Sequence, residues 1–200
     1  MDEFKNAIGI LAVLLTFIGY VPYIRDVLKG KTIPHVYSWF LWTFVTSIAF
    51  ALQFTGGGGA GTFVTLAASL MCLTVFVLGY LKHGKKEITK IDTLFFVLAF
   101  ISLGLWLIAK QPIISAILVT ATDLLGFAPT IRKSWNKPHA ETFSFYFLNS
   151  LRFVLAVIAL RQYTIVTALY PISWIFGNGL FALFLLLRKK QLSYSQQGSL

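Results

Sequence analysis

Gly19-Tyr20-Val21-Pro22-Tyr23-Ile24-Arg25 closes one long apolar run of this 200-residue chain, and Gly126-Phe127-Ala128-Pro129-Thr130-Ile131-Arg132 closes another. Glycine, proline, isoleucine and arginine keep their places in both. The surroundings repeat as well. Each segment leads into a basic loop with a Pro-His pair, Pro34-His35 and Pro138-His139. Each loop opens onto an aromatic helix start, Tyr37-Ser38-Trp39-Phe40 and Phe143-Ser144-Phe145-Tyr146. Two later runs end at lysine pairs, Lys85-Lys86 and Lys189-Lys190. Recurrence on this scale marks an internal duplication.

Seven apolar runs are long enough to cross a hydrocarbon core, which takes about 20 residues. They cover 7–28, 34–54, 62–82, 91–109, 112–132, 142–160 and 164–187. The first three pair with the last three, and the fourth is a connector. An odd-numbered unit needs such a connector for its second copy to run in the same direction, so the repeats are parallel. The expected fold is an all-α integral membrane protein of seven transmembrane helices in a 3+1+3 arrangement. Its parts are a first three-helix repeat (1–86), a linker helix (87–110), a second three-helix repeat (111–190) and a polar cytoplasmic tail (191–200).

Composition agrees. Hydrophobic residues make up 57% of the chain and charged residues 12%, about half the usual soluble share. The net charge of +10 would suggest nucleic acid in a soluble protein. Here thirteen of the 17 lysines and arginines fall in or beside the loops after runs 1, 3 and 5 and at the C-terminal end, and only three on the other side. The positive-inside rule then places the C-terminus in the cytoplasm and the N-terminus outside. The bilayer is the expected partner, with anionic headgroups meeting the basic loops; nucleic acid is not. Met1-Asp2-Glu3 is too acidic to open a signal peptide, so the first run reads as a permanent span. The single cysteine, Cys72, allows no internal disulfide and no thiolate metal cluster. No metal or cofactor is expected.

Ionisable residues inside a span are costly and mark interior paths. Asp123 lies about 15 Å and Arg152 about 16 Å from the basic side, near the middle of a core about 30 Å thick. An ion pair between them is geometrically easy. Asn149 sits one turn from Arg152, and Asn178 lies at similar depth with Trp174 four residues away. Carried back through the repeat, Asp123 pairs with Thr16, Asn149 with Thr43, Arg152 with Thr46 and Asn178 with Thr74. These nine residues form the candidate substrate site, a cavity with one charged and one hydroxyl-lined half. The bland alternatives are a structural ion pair and amides that bond across helices. Pro22 and Pro129 weaken the helical ladder near the basic side and read as a hinge for a gate, or else as static kinks.

On these features the chain resembles the PQ-loop/SWEET family, as a divergent bacterial-type member. The resemblance rests on the three-one-three layout and on the prolines near the inner ends of spans 1 and 5. Tyr23 and Thr130 stand where that family carries the glutamine of its name, and spans 2 and 6 lack the prolines of the sugar carriers. The resemblance implies a transporter moving a small polar solute, a sugar or an amino-acid-like metabolite, by alternating access, in a bacterial inner membrane. It also implies association into homo-oligomers. In that family a paired asparagine on the third helix of each repeat contacts sugar, a role Asn178 matches. Similarity to lysosomal PQ-loop exporters implies proton coupling through Asp123. A zwitterionic or phosphorylated substrate is the alternative that uses both charges. The rival is a receptor of the KDEL-receptor type, which has this architecture and binds without transporting. A retinal protein is disfavoured because the last span has no lysine between Thr164 and Leu187. An enzyme is disfavoured because no nucleophile, base or metal motif is present.

Overall fold

The computed structural model describes residues 2–83 and 90–197. The Lys85-Lys86 pair, the boundary at 86/87 and residues 198–200 lie outside the described residues. Everything else is helix and short connection: α1 (Asp2–Leu28), α2 (Val36–Thr55), α3 (Phe63–His83), α4 (Lys90–Leu107), α5 (Pro112–Leu125), α6 (Ala128–Asn136), α7 (Phe143–Ile158) and α8 (Ile165–Gln197). Single 3₁₀ turns at Gly59–Thr62 and Pro138–Ala140 precede α3 and α7. Five segments are long and apolar enough to cross a membrane: Asp2–Leu28, Val36–Thr55, Gly59–Lys82, Pro112–Asn136 and Ile165–Leu192. Val97–Leu107 and Phe143–Ile158 are shorter apolar helices. This is an all-helical, multi-pass membrane protein.

The side chains are sorted for lipid rather than for water. On α1 the exposed face carries Ile10, Leu14, Phe17, Ile18 and Val21, while the buried face carries Gly9, Ala12, Thr16, Gly19 and Tyr20. Branched and aromatic hydrocarbon faces outward because lipid solvates it; small and polar residues face inward, where backbones approach and hydroxyls find partners. The helix seams follow that rule. Ser47 Oγ lies 2.7 Å from Ser69 Oγ between α2 and α3, Ser150 donates to the Ile175 carbonyl between α7 and α8, and Ser102 donates to the Ser115 carbonyl between α4 and α5.

α3 packs against both α1 and α2, and α8 against both α5 and α7. α1 runs along α7, while α2 lies against α5 and α8. α4 packs mainly on α5 and more lightly on α2. Long-range hydrogen bonds also tie the two ends of the bundle. At the basic end, Thr142 donates to Asp26 Oδ2, Lys133 Nζ to the Ile33 carbonyl and Arg188 Nε to the Trp135 carbonyl. At the opposite end, Lys5 Nζ reaches the Leu160 carbonyl and the Arg161 amide reaches Gly58 O.

One span differs in detail from expectation. The span expected over 112–132 is two helices, with Gly126 and Phe127 forming a turn between them. Pro129 sits in the first turn of α6, where its missing N–H costs nothing. Pro22 instead lies inside an unbroken α1. The reason is packing: Tyr20 and Tyr23, on either side of Pro22, both pack on Phe145 with centroids at 4.8 and 4.6 Å. Thr130, in the place of Tyr23, has no ring with which to clamp across Pro129. At the C-terminal end α8 runs on to Gln197, so the stretch 191–197 is helical.

Candidate functional site

Where α1, α2, α3, α5, α7 and α8 meet, they line a cavity of about 40 Å³. That is room for about three water molecules. Every lining residue is buried, so the cavity lies in the interior of the bundle. α8 contributes Tyr170, Trp174 and Asn178, a stripe at four-residue spacing. α7 contributes Phe145, Asn149, Arg152 and Phe153, and α5 contributes Asp123 and, just beyond it, Phe127.

Asp123 is held by α8. Tyr170 Oη and Trp174 Nε1 each donate to Asp123 Oδ2 at 2.7 Å. Asp123 Oδ1 is buried with no partner. Trp42 Nε1 reaches the Asp123 backbone carbonyl at 3.4 Å, which ties α2 to the same point. Thr46 Oγ1 lies 3.1 Å from Tyr170 Oη and extends the network across the bundle.

Arg152 is held separately. Its Nε donates to Asn149 Oδ1 at 2.6 Å, and its Nη1 reaches Thr16 Oγ1 and the Val64 carbonyl, both at 3.3 Å. Its guanidinium carbon lies 4.2 Å from the Phe153 ring centroid and 5.8 Å from that of Tyr20, in cation–π range. No ion pair joins Asp123 and Arg152: ion pairs among the described residues lie elsewhere. The physical reason is local capture. Each charge sits within reach of neutral donors or acceptors on its own side, and these fix it before it can reach the other.

Seven of the nine sequence-selected residues belong to this network. Thr16, Thr46, Asp123, Asn149, Arg152 and Trp174 do so through the bonds above; Asn178 lines the cavity and donates to the Trp174 carbonyl. Thr43 and Thr74 do not. They donate to the carbonyls of Trp39 and Leu70, four residues back on their own helices, and neither lines the cavity. For Thr74 the cause is register. The burial patterns of α3 and α8 align when Val64 is set against Tyr170, Ala68 against Trp174, Cys72 against Asn178 and Val75 against Phe181, all eight being buried. In that alignment Cys72, not Thr74, falls against Asn178. Its Sγ lies 3.4 Å from Tyr20 Oη at the cavity wall.

The two ends of the bundle are packed in different ways. Toward the basic loops lies a layer of packed rings: Tyr23 and Trp39 at 5.0 Å, Tyr146 and Phe181 at 4.5 Å, Phe127 and Phe181 at 4.7 Å. Beneath it Tyr146 Oη donates to Glu141 Oε2 at 2.8 Å, and Glu141 forms an ion pair with Lys133 of α6. Glu141 is 3% exposed. By its place Glu141 reads as an ordinary loop residue, and a lone acid among basic neighbours is the one sequence signal that singles it out. At the opposite end backbones touch. A methyl built at Gly9 would come 2.8 Å from Ala60 Cβ, and one at Gly61 would overlap the Ala156 carbonyl oxygen. Gly57 and Gly59 take φ of +80° and +66°, which only glycine adopts at little cost.

Chemically, the cavity offers one carboxylate oxygen, one guanidinium, two amides and an aromatic wall. Among the described residues no group of three His, Cys, Asp or Glu side chains is placed to hold a metal ion. Pro22 lies toward the basic end and is not among the residues that line the cavity. The chain matches no family model, no curated protein and no solved structure.

Proposed function

We propose that this protein is a membrane transporter that carries a small polar solute by alternating access, with the cavity around Asp123 and Arg152 as its substrate site. The observation that carries the reading is the buried cavity itself, with a carboxylate and a guanidinium in its wall and no ion pair between them. A purely structural bundle gains nothing by burying two opposite charges without pairing them, since unpaired buried charge is costly. A carrier needs such a site, together with a closure at each end that can open while the other holds.

The two closures fit those roles. The basic end is shut by rotatable aromatic rings and one ion pair, and the broken α5–α6 span provides a joint at Gly126-Phe127. The opposite end is shut by glycine backbone packing, which yields when helices tilt apart. The helix contacts support a duplicated 3+1+3 arrangement of seven crossings. Exchanging α1 with α5, α2 with α7 and α3 with α8 turns the α1–α7 contact into α5–α2, and the α1–α3 and α2–α3 contacts into α5–α8 and α7–α8. In this reading α5 and α6 make one crossing, α4 is the linker, and the thirteen basic residues face the cytoplasm. The similarity to PQ-loop/SWEET carriers enters on the same basis.

Counterflow in proteoliposomes tests the proposal. Unlabelled solute trapped inside should drive a transient accumulation of labelled solute, lost in Asp123→Asn. A receptor would bind the solute and give no overshoot, and that result would remove the transport reading.

A further inference from the structure

Asp123 and Arg152 line one small cavity, yet each is held away from the other. The carboxylate is fixed through Oδ2 by Tyr170 and Trp174, while Oδ1, in a residue 1% exposed, has no partner. The guanidinium is fixed by Asn149, Thr16 and the Val64 carbonyl, all neutral. Attraction between unlike charges in a low-dielectric interior is strong. Side chains free to move would close the gap, so the surrounding bonds act against collapse. A cavity that keeps opposite charges apart is complementary to a ligand that carries the same two charges in reverse.

From this we infer that the substrate is a small zwitterion bearing a primary ammonium and a carboxylate, an inference that rests on the transport reading and names its substrate class. The ammonium donates to the free Asp123 Oδ1, and the carboxylate accepts from Arg152 in place of its long bonds to Thr16 and Val64. A phosphate monoester fits poorly: it carries about two negative charges and nothing to meet Asp123, whose carboxylate only accepts and repels it. A neutral sugar can bond to either group but leaves both buried charges without a counter-charge. The small volume and the ring wall from Trp42, Phe127 and Trp174 favour a compact ligand with few polar groups beyond these two.

Cys72 supplies the readout. It is the only cysteine, it lines the cavity, and a bound ligand shields it. The purified full-length protein is treated with a maleimide in the presence of glycine, alanine, serine or γ-aminobutyrate. Matched probes lacking one charge are methylamine, ethylamine, acetate and propionate; glycine betaine keeps both charges without an N–H donor; glucose and inorganic phosphate complete the set. At least one primary-amine zwitterion is expected to slow alkylation and raise the melting temperature. Its amine and acid analogues and glycine betaine should need at least tenfold higher concentration. In Asp123→Asn the preference for zwitterion over acid should vanish, and in Arg152→Gln the preference for zwitterion over amine. If either variant fails to fold, the wild-type series decides alone. Equal protection by glucose, phosphate or a singly charged analogue overturns the inference, as does a lack of protection by every zwitterion in the series. The two readings fail separately. Zwitterion protection without counterflow removes transport and keeps the site chemistry; counterflow of glucose alone does the reverse.

Discussion

Replacing Glu141 by glutamine should loosen the basic end of the bundle and nothing else. Glu141 joins α6 to α7: it forms an ion pair with Lys133 and accepts from Tyr146, whose ring lines the cavity. Breaking a fully buried pair costs about 3–5 kcal/mol, because the remaining charge is stranded. Two features reduce that here. The Lys133 side chain is 29% exposed, so the ammonium regains water, and glutamine still accepts the Tyr146 hydroxyl. A remaining loss of about 1–2 kcal/mol is expected, a factor of about 5–30 in an equilibrium. In the alternating-access reading that loss falls on the basic-end-closed form alone, since α6 leaves α7 when this end opens. The open population should rise by the same factor. Cys72, 5% exposed in the closed form, reports it through alkylation by a membrane-impermeant maleimide applied at the face of the basic loops. Lys133→Met should accelerate labelling similarly, and the double variant should gain little more, because both changes remove one pair. Labelling of Glu141→Gln at the wild-type rate, or acceleration only from the opposite face, would refute the reasoning.

Further outcomes are expected. Asp123→Asn keeps shape and volume, so exchange should stop while the melting temperature shifts by no more than the equivalent of about 1 kcal/mol, one hydrogen bond's worth; unchanged counterflow would remove the carboxylate from the mechanism. Thr46→Val should weaken binding by severing the link to Tyr170, whereas Thr74→Val, whose hydroxyl serves only its own helix, should leave binding and stability as they are; titrations of both variants with one ligand check this. Gly61→Val should destabilise the protein by about 2 kcal/mol or more, because its Cβ would overlap the Ala156 carbonyl, and thermal unfolding reads the loss. Pro129→Ala should slow exchange more than it weakens binding, by letting helix propagate through Gly126 and Phe127; equal exchange rates would count against a joint there.

Much of the helical layout was legible because lipid imposes a simple rule. A span must be long, apolar and helical, so α1, α2 and α3 lie within a few residues of the runs read from hydropathy. Six of the nine site residues that were named line one cavity, because a buried charge or amide in a span has few places to go but inward. Thr16 joins through its bond to Arg152. What stayed hidden turns on geometry that residue type does not encode. The two glycine-proline segments look alike, but α1 stays whole because Tyr23 can clamp on Phe145 and Thr130 cannot do the same in α6. Cys72 and not Thr74 reaches the cavity that Asn178 lines, a two-residue difference that hydropathy cannot resolve where every neighbour is apolar. Depth placed Asp123 and Arg152 together but could not say that Tyr170, Trp174, Asn149 and Thr16 would take up their bonds first. Glu141 was hidden for the opposite reason: loop carboxylates usually face water, and only the packing of α6 and α8 around it buries this one.

The central claim is that one cavity opens in turn to each side of the membrane, and wild-type Cys72 can decide it. An impermeant thiol reagent is applied to sealed vesicles of each orientation, and modification of the single cysteine is followed over time. Alternating access predicts slow labelling from both faces, with either rate depressed by the transported solute. Labelling confined to one face, or the same two-faced labelling with the bundle locked by cross-links at both ends, would contradict it.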